Sequence, residues 1–130
     1  MLFRSGRLAV ADLPDAWNAG MKRYLGIAPP EDRLGCLQDI HWTGGDLGYF
    51  PSYTLGALTA AQLFDAARRA EPDLVPAIAR GDFRPLLLWL RQHVHGLGSL
   101  YDSRELIQRA TGRPLDPMVF KAHLERRYLG

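Results

Sequence analysis

Between Gly35 and Trp42 the chain places a thiol (Cys36), an amide (Gln38), a carboxylate (Asp39), an imidazole (His41) and an indole (Trp42) within eight residues. Two phenols, Tyr49 and Tyr53, follow in the glycine- and proline-flanked run GYFPSY. These side chains could ligate a metal, supply a nucleophile or hydrogen-bond to a reacting carbonyl. Metal-dependent peptide hydrolysis has a recognisable spacing: His-Glu-x-x-His on a helix puts two imidazoles on one face with the glutamate beside them as base. No histidine here has it. His41 is followed by WTGG, His93 opens HVHGL, His95 opens HGLGS and His123 opens HLERR. The spacing therefore assigns no metal ligand in this chain. Cys36 has no CxxC partner, and a buried, inert thiol is the ordinary state of such a residue. Nucleophile elbow, Walker loop and GxGxxG are absent as well.

Each candidate has a plainer role beside the chemical one. His93 and His95 stand two apart near a helix end, on different faces, and suit surface or capping imidazoles. His123 falls on the last helix and is expected in solvent. His41, beside Trp42, suits either a hydrogen-bonded structural histidine or a ligand. Asp39 either accepts bonds from His41 and loop amides or, with Gln38, touches substrate. Polar groups buried in a loop must be paired, which favours the structural reading. Trp42 is expected to fill space under the loop.

The elements that must position these residues are mostly helical. Asp12 is a good N-cap, with Pro14 in the first turn. Ala16, Trp17, Met21, Tyr24 and Leu25 then recur at helical spacing until Gly26. Pro29-Pro30, the glycines from Gly35 to Gly48 and Pro51 exclude a long helix over residues 26–52. Leu37 to Trp42 can alternate as one short strand and pair with Leu47 to Phe50 across Thr43 to Asp46. Beyond Ser52, Leu55, Leu58, Ala61, Leu63 and Ala67 carry a helix to about Ala70, in which small residues allow close packing. A shorter helix spans roughly Leu74 to Arg80. Asp82 caps another, with Leu86, Leu87, Trp89, Leu90 and Val94, ending near Gly96. Ser103 caps one that stops at Gly112, and Asp116-Pro117 opens the last. Leu2 to Arg4 resemble the tail of a helix ending at Gly6. The fold class expected is mainly α: a single multi-helix domain over 1–130 with one short β-hairpin or extended loop.

The 130 residues can bury a real core, and a net charge of +2 is too small to argue for nucleic acid or an anionic membrane as partner. Arg68-Arg69 and Arg126-Arg127 sit near helix ends, where they oppose the dipole. One cysteine permits no intrachain disulfide and fits a reducing compartment. The segment MLFRSGRLAV contains arginines and no apolar run of signal-peptide length, and Leu86 to Leu90 is far too short to span a bilayer. A soluble, cytoplasmic protein is the expectation.

The stretch from Gly35 also carries a resemblance. Gly35-x-x-Gln38-Asp39-x-His41-Trp42 resembles the Gly-x-x-Gln-Asp-x-His-Trp signature of the Taq-type thermostable metallocarboxypeptidases, HExxH enzymes that remove C-terminal amino acids. DLPDAWNAGMKRYLGIAPP before it, GYFPSYTLGALTAAQLF after it and ELIQRATGRPLDP near the end resemble the family as well. The resemblance covers nearly all of this chain but only the C-terminal part of the family's longer one. The family's HExxH helix, its third ligand, a glutamate, and the arginine of its Ile-Arg-x-x-Ala-Asp motif lie upstream and have no counterpart here. MLFRSG departs from the family pattern. The resemblance thus implies the C-terminal part of a larger helical zincin fold, as an excised domain, a split gene product or a truncated copy.

In a complete enzyme the resemblance implies zinc or another divalent metal at the bottom of a deep groove, with this chain forming one wall. Tyr53 or Tyr49 would donate a hydrogen bond to the developing oxyanion or hold substrate backbone, Tyr53 being preferred. Gly35, Gln38, Asp39, His41 and Trp42 would shape or touch the peptide site. The chain itself would hold no cofactor and would be inactive alone. Its partners would be a peptide substrate in the complete enzyme, an N-terminal chain carrying HExxH, and further copies of itself. The alternative is a stand-alone, non-catalytic helical interaction or oligomerisation module derived from that fold.

Overall fold

The computed structural model describes residues 5–46 and 48–130, with Trp42 and Thr43 described by backbone only. Leu2 to Arg4, Leu47 and the packing expected of the Trp42 side chain lie outside the described residues. The chain forms two compact units, Met1–Pro51 and Ser52–Gly130.

The first unit opens with a 3-10 turn, Val10–Asp12, that runs into helix α1, Leu13–Leu25. Pro14 occupies the first turn, where a missing N–H costs nothing. Asp12 stands at the N-cap position, but its carboxylate makes no cap bond, because the 3-10 turn holds it in helical conformation. Gly26 stops the helix at φ 75°, a left-handed conformation that glycine adopts without strain, and its N–H donates to Lys22 O. Two 3-10 turns follow, Asp32–Leu34 and Cys36–Gln38, and then one α turn, α2, His41–Gly44.

The expected strand over Leu37 to Trp42 is not formed, and among the described residues no strand occurs. The backbone closes short rings instead: Leu34 N–H donates to Glu31 O (3.0 Å), Gln38 N–H to Gly35 O (3.0 Å) and Gly44 N–H to Ile40 O (3.2 Å). Alternating side chains suit a strand only if a neighbouring strand takes up the backbone groups. Here turns take them up locally.

The second unit takes up helix α3, Pro51–Ala70, from Ser52 onward and continues through α4 (Leu74–Ala79), α5 (Arg84–His93), α6 (Ser103–Thr111) and α7 (Pro117–Tyr128). Its core is Ala66 and Ala67 of α3, Leu74 of α4 and Trp89 of α5, with Leu63, Phe64, Ile78, Leu86 and Leu90 packed around them. Ala67 and Leu74 are wholly buried in this cluster. α6 is capped by Asp102, whose Oδ1 accepts from Arg104 and Glu105 N–H (2.9 Å each), and not by Ser103 as expected. Asp116 caps α7 by accepting from Met118 N–H at 2.9 Å. Among the described residues no helix is long and apolar enough to cross a membrane.

Candidate functional site

Gly35 packs directly against the Pro29 ring. A Cβ there would lie 2.8 Å from Pro29 Cγ and 3.3 Å from Pro29 Cβ, so only glycine fits without a shift. Cys36 beside it is 2 % exposed, the buried thiol expected. Gln38 is exposed, and its amide donates to Arg33 O, tying the two 3-10 turns together. Gly35 and Gln38 thus hold the backbone that delivers the next residues.

Those residues are Asp39 and His41. The His41 N–H donates to Asp39 Oδ1 at 2.9 Å, which starts the α2 turn. His41 Nδ1 lies 2.6 Å from the same oxygen. Burial tends to raise the Asp39 pKa, but the bonds from the His41 backbone and ring, with the ring's charge, outweigh it and hold the carboxyl below its ordinary value. An ionised carboxylate only accepts, so Nδ1 carries the hydrogen. In the neutral ring, Nε2 then keeps its lone pair; in the imidazolium it donates.

Two aromatic rings fix the imidazole further. Tyr49 stacks on it with centroids 5.4 Å apart and planes at 22°. Phe50 meets it edge-on at 4.7 Å. Asp39, with 8 % of its side chain exposed, lies deeper than His41 at 25 %. The arrangement is an oriented imidazole, backed by a carboxylate, flanked by a phenol, and open to solvent. It can position or polarise a bound group. Tyr53 belongs to the second unit, as the third residue of α3, and is 60 % exposed. The structure therefore brings Asp39, His41 and Tyr49 together on the framework of Gly35 and Gln38.

Sequence reasoning missed Gln62, the one polar residue in the buried set of the second unit. Its signal was an amide four residues before Ala66, on the face of α3 that the core needs.

The family model for carboxypeptidase Taq (M32) metallopeptidase matches residues 2–128. Thermostable carboxypeptidase 1 of Thermus thermophilus is 46 % identical over 127 residues, covering 98 % of this chain and 25 % of that protein. Thermostable carboxypeptidase 1 of Pyrococcus furiosus is 41 % identical over 128 residues, with 98 % and 26 % covered. Among solved structures, Trypanosoma cruzi metallocarboxypeptidase 1 is similar with a TM-score of 0.91 and 41 % identity, over 97 % of this chain and 27 % of that one. The chain spans about a quarter of the length of the curated relatives it matches.

Proposed function

Because the chain belongs to the carboxypeptidase Taq (M32) metallopeptidase family, we propose that it supplies one wall of the peptide groove of a zinc-dependent carboxypeptidase and is inactive alone. The observation that carries this reading is the His41 imidazole, held by Asp39 at 2.6 Å beside the Tyr49 ring. The relatives named above are carboxypeptidases. Among the described residues no three His, Cys, Asp or Glu side chains gather where a metal ion could sit. Asp39 engages the Nδ1 side of His41 at 2.6 Å and leaves Nε2 to face the groove. The HExxH motif lies, in this reading, in the part of the enzyme that the present residues do not span. The present residues bind and orient the peptide. His41 meets the substrate backbone through Nε2, and Tyr53 or Tyr49 donates its phenolic hydrogen to the oxyanion. The reaction takes place in the cytoplasm.

A C-terminal exopeptidase assay tests the reading. The chain alone should release no amino acid. Mixed with the preceding three-quarters of the Thermus thermophilus relative, it should release C-terminal residues. Tyr53→Phe should lower kcat of the mixture by about 10²-fold or more, the size of one lost oxyanion donor, and Tyr49→Phe should do so only if Tyr49 is the donor. Release by the lone chain would refute the reading.

A second reading rests on a specific observation. Tyr53, Leu55, Leu88, Leu100 and Met118 are each more than half exposed in the second unit. In this second reading they belong to one surface, and a contiguous apolar surface favours association. A helical oligomerisation module, assembled as a homodimer that buries at least ~1,000 Å², would cover it. Light scattering at micromolar concentration that finds a clean monomer would refute this second reading.

A further inference from the structure

The bond to Asp39 does not by itself fix where the His41 ring points. Nδ1 is held 2.6 Å from Oδ1, and that single bond restrains one edge of the ring. The ring plane stays free to turn about the bond, because the torsion that carries an imidazole has broad wells. The direction of Nε2 therefore depends on a second restraint, one that acts on the face of the ring.

Tyr49 provides it. Its ring lies at 22° to the imidazole plane, with centroids 5.4 Å apart. Phe50 closes a second direction, its plane at 68° and its centroid at 4.7 Å. The backbone that leaves His41 also brings these rings back to it. Asp46 N–H donates to His41 O at 3.0 Å, and Tyr49 N–H donates to Asp46 O at 3.1 Å. Tyr49 is 48 % exposed, so the filling of a core does not explain its place against the imidazole.

We propose that Tyr49 is a positioning residue for His41: the face of its ring holds the imidazole plane while Asp39 holds the Nδ1 edge, and together they present Nε2 in one direction. This role rests on the reading of His41 as a substrate contact, and it leaves the oxyanion hydrogen bond to Tyr53. Stacking belongs to the aromatic ring and its quadrupole, so a phenyl group stacks as a phenol does. The Tyr49 hydroxyl is thereby dispensable to the site, whereas an aliphatic side chain does not replace the ring.

The test compares Tyr49→Phe and Tyr49→Leu with the parent chain. The first readout is the position of the carbon-bound His41 ring hydrogens in ¹H–¹³C spectra of the chain alone. The ring current of a stacked Tyr49 displaces them from the positions of free histidine. Parent and Tyr49→Phe should share that displacement, and Tyr49→Leu should move the signals back towards the free positions. The second readout is exopeptidase activity after mixing with the preceding three-quarters of the Thermus thermophilus relative. Tyr49→Phe should keep kcat within about twofold, because no transition-state contact is lost. Tyr49→Leu should lower kcat about tenfold, or about 1.4 kcal/mol, with KM little changed. A kcat that falls as far in Tyr49→Phe as in Tyr49→Leu would make the hydroxyl the working group and overturn the proposal. Parent signals at the free-histidine positions, or signals that Tyr49→Leu leaves unmoved, would overturn it by showing that no stack holds the ring. Where Tyr49→Leu loses its fold, parent and Tyr49→Phe carry the decision. A parent mixture without activity would count against the enzyme reading alone, and the spectra would then decide whether Tyr49 holds His41.

Discussion

Gln62 Oε1 accepts the backbone N–H of Asp116 at 2.7 Å, joining α3 to the turn that starts α7. The other end of the same amide donates to Thr111 Oγ1 (2.8 Å) and Pro114 O (3.0 Å). Gln62 is fully buried, so one side chain replaces water for the whole Thr111-to-Asp116 turn. Gln62→Leu keeps the volume and strands the Asp116 N–H and the turn carbonyls. It should cost about 2–3 kcal/mol of stability by chemical denaturation. Gln62→Glu should be worse at neutral pH, because a carboxylate cannot donate to those carbonyls. It should recover partly in acid, where a protonated Glu donates again. Equal stability of Gln62→Leu and the parent would mean that the turn is held by other contacts.

Leu74 offers a purely apolar comparison. It is wholly buried among Ala66, Ala67 and Trp89. The alanines around it have no longer side chains with which to fill a void. Leu74→Ala should therefore cost about 3 kcal/mol or more, with the loss confined to hydrogen-exchange protection of α3, α4 and α5. A loss below about 1 kcal/mol would show that the helices collapse into the space.

The helices of the second unit were legible because their apolar residues recur at helical spacing between strong stop signals, such as Gly112 after Thr111. Caps were less so. Asp102 and Ser103 are both good cap residues in sequence, and only the backbone extension at Asp102, with ψ at 165°, selects it. The loop from Gly35 was legible in its residues but not in its shape. Alternation of Leu37, Asp39 and His41 suggested a strand, yet the Asp39 side chain takes the His41 N–H and begins a helical turn instead. That local competition leaves no trace in hydrophobic periodicity. Gln62 was hidden for the opposite reason: its partners lie 49 to 54 residues away.

Asp82 sets an acid limit of its own. Arg84 donates through Nε to Oδ1 and through Nη2 to Oδ2, both at 2.8 Å, and its N–H reaches Oδ1 at 3.1 Å. These bonds pull the carboxyl from its ordinary 3.8 to about 2. The folded value lies below the unfolded one, so the contribution is complete above pH 3.8 and is lost as pH falls towards 2. The Asp82 carboxyl carbon should titrate near pH 2 by NMR. In Asp82→Asn the stability of the chain should fall less steeply between pH 4 and pH 2 than in the parent. A titration midpoint at the ordinary carboxylate value would mean that the Arg84 bonds are not kept in solution.

Metal content separates the chain from a complete enzyme. Zinc needs three or four ligands converging at about 2.0–2.3 Å, and among the described residues no such group occurs. The purified 130-residue chain, equilibrated with zinc and then dialysed, should retain no stoichiometric metal by elemental analysis. One zinc per chain, lost on His41→Ala, would move His41 from the peptide wall to the metal.

The Asp39–His41 pair makes the last prediction. Since Asp39 Oδ1 accepts both the backbone and the ring hydrogens of His41, it sets the tautomer as well as the turn. ¹⁵N spectra of the neutral ring should show hydrogen on Nδ1, with a lone pair on Nε2. Asp39→Asn still offers an oxygen to the His41 N–H but no charge to the ring, so the spectrum should drift towards the Nε2–H form that free histidine prefers. His41→Ala removes the ring that Tyr49 and Phe50 pack against. It should lower stability by roughly 1–3 kcal/mol, the range of one lost buried hydrogen bond, and loosen exchange protection around Gly44 and Asp46, whose N–H groups bond back to Ile40 and His41. An unchanged melt together with an Nε2–H ring in the parent would show that Asp39 does not hold His41 in solution. The imidazole would then be oriented by the aromatic rings alone.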